Sequence, residues 1–487
     1  MASSACVTLV VVCLNSITDA AKILAVIPTP SLSHQVIFRP LTQALAQRGH
    51  EVIVVTTDPV FTDTKPPTNL TEIDVHDVSY KIWNNEFTYA LEFGRRYSIY
   101  SQVGTFIKML KNMVLEQLKT KEIQDLIKYD RQHFDLIIVE AWVRQALVYS
   151  HVFRAPVICV SSFGLLMGNE ETFGIPINPL KYPLTFQQRL YNLTFMEKLD
   201  ELYKNWWYQS EWLSKAADEI EAFRGVLGPS LPEYTELYNN ADMLFLNTHP
   251  IWIDNQPLPS NVISIWGIHK NPENELPHNL KSYLDNSKNG VIYLSFGTNA
   301  PSTILSPDFI RILIRVFSKL PYDVLWKWEK DVMPGKPDNV KIGKWFPQSD
   351  LLRHPNVKVF ITQGGLQSTD EAITAGVPLI GIPMLGDQWY NVEKYEKHKI
   401  GVRLDMETLT EDKFEDAIHL VLNDTSFRDN IVKLRTFMND QPQTAMERAV
   451  WWTEYVLRHG GAKHLRAATA NKPLWDYYEH VHDGRVG

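Results

Sequence analysis

Cysteine is scarce in this chain of 487 residues: there are three, and two of them, Cys6 and Cys13, fall within the apolar segment Cys6 to Ile17 near the N-terminus. That segment is too short to span a bilayer and is followed by Thr18-Asp19-Ala20, small residues suited to signal-peptidase cleavage. It is read as a secretory signal over residues 1–20. Cleavage after Ala20 leaves only Cys159, which excludes an internal disulfide despite an oxidising compartment. Cys159 itself sits in an apolar run, APVICVSSF, and is expected in the core. A basic stripe is also missing: 48 Lys and Arg against 56 Asp and Glu give a net charge of −8 spread along the chain, which argues against a nucleic-acid partner. No G-x-G-x-x-G follows the first strand or occurs elsewhere, which argues against a nicotinamide or flavin enzyme. No run of about twenty apolar residues exists, so no membrane span is expected, and peripheral membrane association and a homo-oligomer stay open. Low-complexity tracts and repeats are absent too.

The length calls for two domains. Lys22 to Pro28 and Glu51 to Thr57 read as strands flanking an amphipathic helix from Arg39 to Arg48, ended by Gly49. This is a right-handed β-α-β unit. Phe134 to Val139 and Ala155 to Ser161 are further buried-strand runs, separated by a helical segment after Trp142. Residues 21–256 are therefore read as a doubly wound N-terminal domain. The polar, Pro-rich stretch 257–286 is read as a linker, and a second α/β set opens at Gly290 in GVIYLSFGT, giving a C-terminal domain over 287–440. Residues 441–487 hold a helical segment, Met446 to His459, and a polar tail, with Trp451-Trp452 expected in the core. The sequons at Asn69, Asn192 and Asn423 are candidate glycosylation sites once the chain enters the secretory pathway.

The densest chemistry lies between Trp345 and Gln388. Val357 to Thr362 is a β-branched strand, Gly364-Gly365 a sharp turn, and Gln367 to Ala375 a helix stopped by Gly376 and Pro378. Free N–H groups at such a helix start carry about half a positive charge and hold phosphate without a metal. Gln367 and Glu371, four apart, share one helical face, where a carboxylate suits ribose hydroxyls. A second apolar run, Pro378 to Pro383, ends just before Asp387-Gln388, placing an acceptor and an amide beyond a strand's carboxyl end, where open sheets bind ligands. Val340 to Trp345 is a strand ending in an indole that can stack on a base, with Gln348 to pair with the base edge.

His34 lies in the loop after the first strand, and Glu140 ends the FDLIIV strand at the same sheet edge. Imidazole, with an unperturbed pKa of about 6.5, suits proton abstraction at neutral pH. A carboxylate on one ring nitrogen fixes the tautomer and stabilises imidazolium. Trp206, Trp207, Tyr208 and Trp212 form an aromatic cluster read as helix core rather than as an acceptor cleft.

Trp345, Gln348, Gly364, Gly365, Glu371, Pro378, Pro383, Asp387 and Gln388 resemble the signature of the UDP-glycosyltransferase family. The resemblance covers nearly the whole mature chain. It implies an α/β fold of two facing, doubly wound Rossmann-like domains, the GT-B type, with the C-terminal helix returning to the N-terminal domain. It implies an inverting, metal-independent transfer of a hexose, glucose above glucuronate, from a UDP-sugar to a hydroxyl of a small lipophilic acceptor such as a phenol, a steroid or a xenobiotic. UDP-sugar is the co-substrate and no cofactor is implied, in keeping with the absence of Asp-x-Asp. His34 takes the acceptor proton, Glu140 supports it, and Ser295, Gly297, Thr298, Gln363 and Ser368 join the donor site. Two departures stand out. Most members carry Asp at the position of Glu140 and His at that of Gln363, where the amide supplies no charge. The string Gln363 to Ser368 resembles insect members and the ecdysteroid glucosyltransferases of insect viruses. The expected location is the endoplasmic reticulum lumen or outside the cell, and the expected role a detoxifying conjugation. A sugar-nucleotide epimerase on the same fold and a non-catalytic UDP-sugar-binding homologue are the alternatives.

Overall fold

A computed structural model describes residues 20–62, 64–88, 94–95, 99–129, 134–270 and 273–472. Residues 1–19, within the segment read as a signal, and the tail from 473 onward thus lie outside the described residues. The N-terminal sheet contains β1 (Lys22–Ile27), β2 (Glu51–Thr56), β3 (Leu70–Asp74), β4 (Leu136–Glu140), β5 (Val157–Ser161), β6 (Ala241–Leu246) and β7 (Val262–Ser264). They are ordered β3-β2-β1-β4-β5-β6-β7, with every pairing parallel. The C-terminal sheet contains β8 (Val291–Ser295), β9 (Asp323–Lys327), β10 (Val340–Gly343), β11 (Val357–Thr362), β12 (Leu379–Gly381) and β13 (Gly401–Arg403). Its order is β10-β9-β8-β11-β12-β13, also all parallel. Central strands such as LIIVE and VICVS are buried throughout because helices cover both faces, which is why they read as unbroken apolar runs.

In each sheet the strand order reverses direction beside the first strand, between β1 and β4 and between β8 and β11. Loops diverge at such a reversal and leave a crevice at the strands' carboxyl ends. Both crevices open into one cavity of about 400 Å³, lined by residues from both domains.

The segment 257–286 is more than a connection. β7 completes the N-terminal sheet, and the helix His278–Asn286 buries Leu280 and Leu284 in an apolar cluster with β8 and β11 residues. The helix Ala445–His459 does return to the N-terminal domain, burying Ala449, Val450 and Val456 against Ile37, Phe38 and Leu41. Each of the larger side chains, Val, Ile, Phe and Leu, contributes roughly 1.5–3 kcal/mol. Arg48 grips Glu454 with two nitrogens beside this contact. Trp452 packs against the same cluster, whereas Trp451 is 45% exposed, contrary to its expected place in the core. In the helix Phe195–Ser214, Tyr208 and Trp212 are core residues and Trp207 packs against the core, but Trp206 faces solvent. Its helical position points away from the stripe that covers the sheet. Cys159 is buried, as expected, and Asn69, Asn192 and Asn423 are all exposed.

Candidate functional site

His34 corrects the first expectation about this region. It lies in the first turn of a helix spanning Leu32–Gln47, not in a loop, because the helix continues through Pro40 instead of starting near it. Starting the helix seven residues earlier turns the imidazole under the sheet edge. Nδ1 meets Glu140 Oε1, and the other carboxylate oxygen accepts from Thr29 Oγ1. Trp142 Nε1 donates in turn to Thr29 Oγ1 at 3.0 Å. Glu140 has no solvent exposure, so both of its oxygens are committed to these partners. With the carboxylate on Nδ1, a neutral His34 carries its lone pair on Nε2. The ring is held by Phe163, edge-on with centroids 4.7 Å apart, and by Trp142 at 5.5 Å, and Ser162 Oγ lies 3.2 Å from Nδ1. His34 lines the cavity, whose wall on this side is aromatic: Trp83, Phe106, Trp142, Phe163 and Phe186.

The opposite wall joins a glycine turn and a helix start to a set of polar side chains. The helix Leu366–Ala375 begins at Gly365, whose φ of −61° is ordinary, and a Cβ there would meet only Gln363 Nε2 at 3.5 Å. Glycine at 365 therefore keeps the helix start open rather than making a turn. The turn falls to Gly364, at φ +92°, where a Cβ would overlap Val392 and approach the Gln388 carbonyl at 3.1 Å. Asp387 accepts from the Leu366 amide, leaving the amides of Gln367 and Ser368 without helical acceptors. Burial pushes the Asp387 carboxyl up to about 6, opposed by hydrogen bonds that include Asn391 Nδ2 at 2.8 Å.

Glu371 and Gln348 meet across the donor wall. Gln348 Nε2 donates to Glu371 Oε2 at 2.7 Å and to Ser368 Oγ at 2.9 Å, while its Oε1 accepts from Tyr293 Oη at 3.0 Å. Burial pushes the Glu371 carboxyl up to about 7. Trp345, just past the end of β10 rather than within it, is 64% exposed at the cavity lip. Gln388 spends Oε1 on the amides of Met384 and Leu385, shaping the loop before it, and leaves its amide N–H groups without a protein partner among the described residues. Ser295, Gly297 and Thr298 line the cavity after β8. Gly297 has φ +76°, a left-handed conformation that favours glycine, and a Cβ there would push aside the Gln363 amide 2.5 Å away.

Gln367 lines the cavity and also bridges its two walls. Its Nε2 donates to the Ser162 carbonyl at 3.1 Å, tying the donor helix to the opposite domain next to His34. Asn299 and Ser31 make a second bridge at 3.2 Å. Thr29, Trp142, Ser162, Phe163 and Lys327 are site residues that the sequence reading did not single out. Their one sequence signal is position, each lying at or just beyond a strand's carboxyl end. No group of three or more His, Cys, Asp or Glu suited to a metal ion occurs among the described residues. No helix among them is long and apolar enough to cross a membrane.

Known proteins resemble this chain in sequence and in fold. An ecdysteroid UDP-glucosyltransferase of Spodoptera littoralis nuclear polyhedrosis virus is 35% identical over 473 residues, covering 93% of this chain and 91% of the relative. UDP-glucosyltransferase 2 of Dactylopius coccus is 31% identical, covering 95% and 89%. Among solved structures, a UDP-glucose:anthocyanidin 3-O-glucosyltransferase in complex with UDP superposes with a TM-score of 0.62 at 17% identity, covering 90% of this chain and 99% of that one, and shares the fold. Residues 21–483 match the family described as UDP-glucoronosyl and UDP-glucosyl transferase. The chain belongs to that family and is a UDP-glycosyltransferase of GT-B architecture.

Proposed function

We propose that the chain transfers glucose from UDP-glucose to a hydroxyl of a small lipophilic acceptor, phenolic, steroid or xenobiotic, with inversion and without a metal ion. His34 Nε2 removes the acceptor's hydroxyl proton, and the oxygen attacks the anomeric carbon. The bond from that carbon to the β-phosphate oxygen breaks, and UDP departs from the opposite face with the electron pair. Glu140 holds the ring and stabilises imidazolium. General-base work of this kind is worth about 10²–10⁴-fold. Trp345 stacks on uracil, Glu371 with Gln348 meets the ribose, and Asp387 with Gln388 meets the sugar hydroxyls. Ser295, Gly297, Thr298, Gln363, Gly364, Gly365 and Ser368 surround the diphosphate, and the amides of Gln367 and Ser368 at the helix start meet developing charge on the leaving group.

The observation that carries this reading is the pairing of His34 with buried Glu140 on one wall of a cavity whose other wall is an open helix N-terminus. The aromatic wall beside His34 supports an apolar acceptor, and the relatives named for ecdysteroids support a steroid in particular. Three exposed sequons accord with passage through the secretory pathway, to the endoplasmic reticulum lumen or beyond. The test is incubation of the protein and its His34→Ala variant with several UDP-sugars and a panel of phenols and steroids, with products read by mass spectrometry. Glucose conjugates are expected from the first and not from the second. A protein that forms no conjugate while converting one UDP-sugar into another would instead be an epimerase.

A further inference from the structure

Between β6 and β7, both strands of the N-terminal sheet, the chain makes an excursion into the other domain. The turn Pro250–Ile253 carries Trp252, which is 2% exposed and packs in the apolar cluster that holds Leu352, Leu366, Tyr390 and Tyr395. Its indole Nε1 donates to Asn391 Oδ1 at 3.0 Å, and its carbonyl accepts from Tyr390 Oη at 3.3 Å. Two residues on, Asp254 Oδ2 accepts from Lys394 Nζ at 2.6 Å. One turn of the N-terminal domain thus grips the helix Gln388–Lys397, which begins directly after Asp387.

Asn391 is the junction. It is also 2% exposed, and its Nδ2 donates to the Gly364 carbonyl at 2.9 Å and to Asp387 Oδ2 at 2.8 Å. An indole N–H can only donate and a carbonyl can only accept, so these partners fix which end of the amide faces which. Turned over, the amide would set its NH₂ against the indole N–H and its oxygen against the carboxylate. Trp252 therefore selects the orientation in which Asn391 donates to Asp387. Asp387 lines the cavity, whereas Trp252 and Asn391 do not. Its carboxylate has two holders: the Leu366 amide, which belongs to the C-terminal domain alone, and Asn391, whose orientation is set from the other domain.

We propose that Trp252 is a positioning residue for the donor sugar, holding the Asp387 carboxylate toward the sugar hydroxyls through Asn391. The N-terminal domain then takes part in donor recognition without touching the donor. This rests on the donor-site reading given above, in which Asp387 meets the sugar and not the nucleotide. Loss of the indole N–H is therefore felt by UDP-glucose and not by UDP.

Calorimetric titration of UDP-glucose and of UDP into the wild type, Trp252→Phe, Asn391→Ala and the double variant tests this. Phenylalanine keeps most of the apolar volume and removes the N–H. In Trp252→Phe, UDP-glucose affinity should fall about fivefold to tenfold, the scale of one neutral hydrogen bond, while UDP affinity stays within about twofold. Asn391→Ala removes a bond to a charged group and should cost UDP-glucose about tenfold or more. The double variant should lose no more than Asn391→Ala alone, because Trp252 acts through that amide. A purely structural role would lower the denaturation midpoint of Trp252→Phe and leave the ratio of the two affinities unchanged. That result would overturn the proposal, as would losses that multiply in the double variant. If Trp252→Phe does not fold, Asn391→Ala decides: equal losses for UDP-glucose and UDP overturn the assignment. A wild type that binds neither ligand would overturn the donor-site reading and this proposal with it.

Discussion

The two sheets share one strand order and one reversal point, yet their crevices are furnished in different ways. Beyond β1 and β4 the N-terminal crevice holds a chain of buried side chains, Trp142 to Thr29 to Glu140 to His34, each satisfied by the next. Beyond β8 and β11 the C-terminal crevice holds backbone: two left-handed glycines, an ordinary one, and a helix start with free amides. A proton acceptor must be a titratable side chain fixed in one tautomer. A diphosphate seat needs several donors close together, which main chain supplies at no side-chain entropy cost. On the proposed function, one topology serves two chemistries because it supplies the place and not the groups.

This contrast can be broken most severely at His34. His34→Ala should lower turnover by about 10²–10⁴-fold while UDP affinity, measured by calorimetry, hardly changes; a matching loss of UDP affinity would dissolve the division between the walls. Glu140→Gln should cost about 10²-fold in turnover, since the amide can present its N–H₂ to Nδ1 and favour the wrong tautomer. Retention of full rate would mean that the ring needs no carboxylate. On the other wall, the glycines should part company. Gly364→Ala forces a left-handed alanine into Val392 and should destabilise the fold by about 2 kcal/mol or more, read as a lowered denaturation midpoint. Gly365→Ala should leave that midpoint in place and weaken UDP alone.

The smallest effect concerns pH. Glu371 and Asp387 bind protons more tightly folded, at about 7 and about 6, than a free carboxyl does at about 4. The folded state therefore holds more protons than the unfolded one across this window, and unliganded stability should fall as pH rises from about 4 through 7. Thermal melts of a Glu371→Gln, Asp387→Asn double variant should show a shallower fall between about pH 5 and 7. An identical slope would mean that neither carboxyl titrates as its burial indicates.

Legibility differed between the walls for a physical reason. The donor wall occupies largely one stretch, Trp345 to Gln388, where strand, glycine turn and helix follow in order and local rules suffice. Even there, Gln367 reaches across to Ser162, a contact no spacing rule foretells. The proton-accepting wall draws on Thr29, His34, Glu140, Trp142, Ser162 and Phe163, which meet only because β1, β4 and β5 lie side by side. His34, read in the loop after the first strand, and Glu140, at a strand end, are legible from position, but the helix start at Leu32 is not. A proline eight residues on resembles a helix beginning, and tertiary packing of Ile37, Phe38 and Leu41 outweighs its cost.

The chain by itself determined its two α/β units, its family signature and the two residues proposed as a proton-accepting pair, because periodicity and local turn chemistry are written in contiguous residues. Tertiary structure alone decided which nitrogen of His34 meets Glu140, that Gly364 turns while Gly365 stays open, and that Gln367 ties the walls together. Each of those depends on what a side chain meets from another strand or another domain, and sequence separation carries no such distance.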